Sequence, residues 1–249
     1  MTQGTKQTTT LQFSVKSYAA WAPGVDTQSA WQAWANHELT ISGKNEPPLT
    51  AMPSMLRRRA NMPGKMALEV AYQVLGADHH TQTLFCSRHG ECARAIELLT
   101  DLHQRMPLSP TAFSLSVHNA PGGLFSIARR DHTNQLALAA GESTIENAVI
   151  EACSLLADGE TSVLLVAYDA TPPSIFSDFQ EVDEQPYAWA WLIERPTTDI
   201  ISLSWSAAES DTTEQSESAG LQILRFFLTK KPPLHRCVNG RHWQWTHHD

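Results

Sequence analysis

Residues 109–170 read SPTAFSLSVHNAPGGLFSIARRDHTNQLALAAGESTIENAVIEACSLLADGETSVLLVAYDA, and this stretch decides the fold. Its second half is the most regular part of the chain. Ile145, Val149, Ala152 and Leu156 make an apolar stripe at helical spacing over residues 143–156, and Ser143 with Glu146 matches a capping box. Asp158-Gly159 stops that helix. Thr161 to Tyr168 then runs almost wholly apolar, the pattern of a central strand covered on both faces. Upstream, Gln135 to Ala140 (QLALAA) reads as a buried strand and Phe113 to Val117 as a further strand, followed by a loop over residues 119–123 (NAPGG). Strand, loop, strand, sharp turn at Gly141-Glu142, helix and strand is the alternation of an α/β layered fold.

The flanks extend this alternation. Leu11, Phe13 and Val15 alternate with polar residues, as in a half-buried strand. Thr27 or Ser29 caps a helix carrying Trp31, Trp34 and Ala35. A proline-rich loop (residues 43–54) and Arg57-Arg58-Arg59 precede a helix over residues 64–75, ended by Gly76. Thr81 to Ser87 is a short strand, and residues 91–105 place Cys92, Ile96, Leu99 and Leu102 on one helical face. Tyr187 to Ile193 is another apolar strand. The texture changes after Arg195. A last strand at Ser202 to Ser206, an acidic exposed loop over residues 209–218, a short helix at Leu221 to Leu228 and a His- and Trp-rich tail from Arg236 are expected. The domain reading is therefore 11–195 for the main domain and 196–249 for a short extension.

A chain of 249 residues with 42% apolar residues can bury a full core. The 26 acidic and 18 basic side chains give a net charge of −8, which argues against a nucleic-acid phosphate binder. Eight Trp and eight Phe beside a charged fraction of 18% argue against disorder and hint at an apolar face for a partner. The first residues, MTQGTKQTTTLQ, contain no apolar run of a signal peptide, and no stretch approaches a membrane span. Cys86, Cys92, Cys153 and Cys237 are scattered and read as reduced thiols, so a cytoplasmic location is expected. No motif calls for a cofactor. NAPGG lacks the Gly-Lys-Ser/Thr ending of a phosphate loop, GESTIE is not a hydrolase elbow, and the His- and Cys-containing tail matches no zinc spacing.

Taken together, SPTAF, the SVHNA loop with its glycines, ALAAGESTIENAVIEA and DGETSVLLVAYDA resemble the N-terminal half of the β-ketoacyl synthases, the condensing enzymes of the thiolase fold. The resemblance spans roughly residues 11–195. It implies a thiolase-like layered α/β sandwich, its N-terminal half only, with a truncated C-terminal half. It also places the family's acyl-accepting cysteine on Glu142. A carboxylate there would be solvated by helix N–H groups and stay ionised. It is a poor acyl acceptor, because the product would be a hydrolysable anhydride. Cys153 lies about three turns into the helix, too far to substitute. The family's two catalytic histidines belong to a second half, and His235, His242, His247 and His248 do not match their setting.

Such losses mark the chain-length factors of type II polyketide systems, silent relatives that pair with a competent ketosynthase. The chain is similar to short ketosynthase-like proteins of aryl polyene pathways. The resemblance implies a non-catalytic subunit, paired with a ketosynthase as a heterodimer or larger assembly, with acyl carrier protein reached through that complex. It implies strand pairing at Leu136, Ala137 and Leu138, and a tunnel or seam around Phe113, Val117, His118, Asn119, Leu124 and Phe125. The rivals are a minimal acyl-transferring or decarboxylating enzyme using Glu142, and a module that only binds acyl carrier protein. Plainer readings stand beside these: Glu142 as a helix-terminal carboxylate, Ser143 as a cap, His118 as a satisfied structural histidine, and the three arginines as a solvated or ion-paired face.

Overall fold

The computed structural model describes residues 9–76, 80–180, 182–208, 217–230 and 233–248. One eight-stranded sheet crosses the molecule in the order β3-β2-β4-β5-β1-β6-β8-β7. The strands are β1 (Thr9–Trp21), β2 (Gln82–Cys86), β3 (Gln135–Leu138), β4 (Ser162–Asp169), β5 (Tyr187–Glu194), β6 (Ile200–Ala207), β7 (Leu234–Val238) and β8 (Arg241–His248). Parallel pairing is confined to β2 with β3 and β4, where crossover helices connect the strands; all other pairs are antiparallel.

Helices cover both faces. On one face, α1 (Gln28–Ala35), α7 (Thr144–Ala157) and α8 (Ala219–Thr229) bury Trp31, Val149 and Leu224 against Leu165, Trp189 and Trp191. On the other, α3 (Met62–Leu75) and α6 (Ala120–Arg129) bury Met66, Ala67 and Phe125 against Phe85, Val166 and Ala190. With a helix layer on each face, β4 and β5 are almost entirely buried, as their continuous apolar runs require. The short α2 (Ser54–Arg57) lies before α3. Thr27 caps α1 by accepting from the Ala30 N–H (3.2 Å). Asn61 caps α3, with Pro63 in the first turn, so this helix starts at Met62, two residues earlier than the sequence pattern indicates.

Four expectations change. Residues 113–117 are not a strand: Ser109 accepts from the Ala112 N–H (3.2 Å) and Pro110 opens α5 (Pro110–Ser114). Ser-Pro is a strong helix start, and among the described residues no neighbouring strand rewards the short alternation. Residues 120–123 are not loop but the first turn of α6, where Gly122 lets the helix approach β2; a Cβ there would sit 2.7 Å from the Gln135 amide oxygen and 3.2 Å from Phe85. β3 is an exposed edge rather than a buried strand, with Leu136 38% exposed, because among the described residues it pairs with β2 alone. Finally, after residue 195 the expected last strand and short helix are present as β6 and α8 (Ala219–Thr229), but the residues from 234 on are a β-hairpin and not a tail. β6, β8 and β7 continue the sheet beyond β1, and Trp243 and Trp245 are fully buried. Alternation of Trp243 and Trp245 with polar neighbours is strand periodicity, and the Asn239-Gly240 turn closes the hairpin.

The tryptophans therefore have a different role from the one composition suggested. Seven of the eight are buried within this chain, so they build its core rather than an outer face. Exposed apolar residues lie elsewhere. α4 (Cys92–His103) buries none of its residues, and Leu99 and Leu102 of its expected apolar face are 58% and 59% exposed. The acidic loop expected at residues 209–218 lies mostly outside the described residues.

Candidate functional site

The turn between β3 and α7 holds Glu142. Gly141 takes a left-handed conformation (φ +59°), which glycine adopts without strain. The Thr144 hydroxyl fixes the turn from inside the helix: it accepts from the Ala140 N–H (3.0 Å) and donates to the Gly141 carbonyl (2.6 Å). The expected capping box is absent. Ser143 makes no side-chain cap, and Glu146 is fully buried in an ion pair with Arg236 of β7. The capping pattern fails because a buried cation competes successfully for the carboxylate. Arg236 also donates to the Glu142 carbonyl (3.0 Å). A residue expected in a tail thus braces the turn from behind.

The Glu142 carboxylate is 27% exposed and faces Arg88 at 3.6 Å. Arg88 lies the same distance from Glu184, whose carboxylate also meets His89 Nε2 at 2.8 Å. Beneath them, the half-buried Asp169 at the end of β4 accepts from the Ser87 hydroxyl (2.7 Å) and from the Arg88 and His89 N–H groups (3.0 Å each). Burial pushes the Asp169 carboxyl up, and these hydrogen bonds work against that rise. The cluster sits at the carboxyl ends of the parallel strands, where open α/β sheets place their sites.

His118 Nε2 lies 3.0 Å from the Ser87 carbonyl. A carbonyl accepts only, so Nε2 carries the hydrogen and is engaged structurally. Gly90 makes room for that ring, since a Cβ there would fall 2.7 Å from His118 Cδ2. Chemically, the turn offers a carboxylate and a guanidinium but no thiol. Burial raises the thiols of Cys86 and Cys92, and pushes Cys153 up to about 11. Reactive thiols are held the opposite way, below their usual pKa.

The interface residues named from sequence divide into four groups. His118, Asn119, Leu136 and Ala137 line one open cleft of about 500 Å³ along β3, together with Gln135 and Ala139. Phe113 and Val117 are 64% and 46% exposed, outside that cleft. Leu124 and Phe125 point into the chain's own core, Phe125 edge-on to Phe85 and Tyr72. Leu138 is half-buried beside the core. Sequence reasoning missed Arg88, His89, Asp169, Glu184 and Arg236. Asp169 had a signal, a carboxylate ending a wholly apolar strand; Arg236, isolated among tail residues, had none.

A sheet between two helix layers, with a glycine-tight turn leading into a buried helix, is the architecture of the thiolase-like ketosynthases. The chain belongs to the family of the β-ketoacyl synthase N-terminal domain, whose model matches residues 31–246. It is similar to a chain from the complex of the ketosynthase ApeO with its chain length factor ApeC from Xenorhabdus doucetiae, with 23% identity and a TM-score of 0.81 over 95% of this chain and 99% of that one. It also resembles the ishigamide ketosynthase/chain length factor (13% identity, TM-score 0.62, 80% of this chain and 68% of that one). A further likeness is to the type II polyketide synthase assembly AntDE:AntF, an acyl-carrier protein in complex with its hexaketide-bound ketosynthase (12% identity, TM-score 0.58, 74% and 63%). No curated protein matches the sequence. Among the described residues, no helix is long and apolar enough to cross a membrane.

Proposed function

We propose that this chain is a catalytically silent subunit, a chain-length factor, that pairs with a β-ketoacyl synthase in polyketide or fatty-acid-like biosynthesis of the aryl polyene type. The observation that carries the reading is the turn at Glu142. Glu142, which the sequence resemblance aligns with the family nucleophile, is a carboxylate facing Arg88, and three of the four thiols are raised by burial. The open β3 edge and the exposed Leu99, Leu102 and Phe113 support a partner-covered side. The partner supplies the cysteine, both histidines and the condensation chemistry, and acyl carrier protein meets the complex rather than this chain alone. A cytoplasmic location and the 11–195 and 196–249 division accompany this reading; the second segment contributes structurally through β6, β7 and β8.

The test is co-expression with a ketosynthase encoded beside it, followed by sizing and product analysis. A stable complex with activity, and no turnover by this chain alone on acyl- or malonyl-carrier protein, is expected. Turnover by the isolated chain that disappears in Glu142→Ala would overturn the reading in favour of an enzyme. Carrier-protein binding without any synthase would favour a docking module. Phe113→Ala is expected to lengthen the products of the reconstituted pair, because Phe113 is the exposed bulky residue among the named tunnel positions.

A further inference from the structure

The β7–β8 hairpin carries a feature unrelated to the turn. Its inward residues, Arg236, Val238, Trp243 and Trp245, are buried, so the alternate residues His235, Cys237, His242 and Gln244 share the opposite face. There His235 Nδ1 and His242 Nε2 stand 3.1 Å apart. The ring planes are 15° apart and the centroids 5.2 Å apart, so the two nitrogens meet edge to edge with one hydrogen shared between them. His235 is exposed and His242 half-buried, leaving the pair open to solvent.

We propose that His235 and His242 form a two-histidine site for a borderline divalent transition metal ion, of which zinc is the natural probe. Metal–imidazole bonds of about 2.0–2.1 Å place two cis nitrogens about 2.9 Å apart at a right angle and about 3.3 Å apart at the tetrahedral angle. The 3.1 Å separation lies between these values. Both rings then present a lone pair to the metal. The ring that now donates moves its hydrogen to its other nitrogen, and no proton is released from the neutral pair. Imidazole selects zinc, copper or nickel over magnesium or calcium. Among the described residues no third His, Cys, Asp or Glu completes a cluster, so water fills the remaining positions. The register holds the ligands on adjacent strands, so binding staples the edge of the sheet.

Titration calorimetry of the tag-free full chain with zinc chloride tests this, with magnesium chloride as control. One zinc per chain is expected, together with a rise in melting temperature of roughly 3 °C at tenfold excess over Kd. His235→Ala and His242→Ala should each weaken binding by roughly tenfold or more, whereas Cys237→Ser should retain it. Both histidines are at least partly exposed, so the unliganded melting temperature should stay close to that of the unsubstituted chain. Absence of zinc binding, or zinc binding unchanged in both histidine variants, overturns the proposal.

Discussion

The two edges of the sheet are finished in opposite ways. At the β7 edge, Trp243 and Trp245 are sunk into the core and Arg236 reaches across to the buried Glu146. That side is tied down by the chain's own side chains, although β7, like β3, pairs with a single strand. At the β3 edge, the strand is four residues long and Leu136 and Ala137 face solvent; α4, which follows β2 in the chain, leaves its apolar face uncovered. One edge is anchored by interactions that need no second chain. The other carries exposed apolar side chains with no such anchor among the described residues, and an edge strand beside exposed apolar surface is a place where another chain can pair.

The largest effect is expected at the closed edge. Arg236→Met strands Glu146 without its cation at a fully buried site, which should cost about 3–5 kcal/mol in urea unfolding. Adding Glu146→Leu should recover most of that loss. A single-variant cost below about 1 kcal/mol would remove the ion pair from the account of how the hairpin is held. Phe125→Ala should cost about 3–5 kcal/mol as well, because the ring is enclosed by Phe85 and Tyr72. Phe113→Ala, 64% exposed, should change monomer stability by no more than about 0.5 kcal/mol. If the two phenylalanines behaved alike, the division between core and open side would fail.

A smaller effect is expected at the start of α4. Burial pushes the Glu91 carboxyl up to about 7, against the pull of Arg94 and the Asn61 amide. A raised carboxyl pKa means that the folded state holds its proton longer than the unfolded state. The stabilising contribution is full below about pH 4.5 and is lost as pH rises through 7. Stability should therefore fall by up to about 3 kcal/mol over that window, and Glu91→Gln should flatten the dependence. A pH profile unchanged by the substitution would assign the titration to another group.

The smallest effect concerns the open edge. The Asn134 and Leu138 carbonyls accept from Thr83 and Ser87 of the β2 side (3.2 Å each), so Gln135 and Ala137 turn their backbone groups outward. Ala137→Pro removes one outward N–H without touching β2. Monomer stability should change little, while affinity for the ketosynthase should fall roughly tenfold, about 1.4 kcal/mol, by titration of the labelled chain. Undiminished affinity would move the interface away from β3.

Much of this was legible in the sequence. Apolar runs placed β4 and β5, and the stripe Ile145, Val149, Ala152, Leu156 placed α7, because burial on two faces or one leaves a periodic mark. The absence of cysteine at Gly141-Glu142 was equally plain. The Ser143–Glu146 cap misled because local patterns carry no information about a cation ninety residues away. Residues 113–117 misled because a five-residue alternation is shared by strands and short helices.

The sequence by itself determined the α/β alternation, the identity of the residue at the turn and the absence of a cysteine there, since these follow from local order and residue chemistry. Only the tertiary structure decided that Arg236 braces that turn, that Arg88 faces Glu142, that the tryptophans are core and that β3 is bare. Each of these depends on which strands become neighbours, and neighbours in a sheet are set by the packing of the whole chain rather than by any one segment of it.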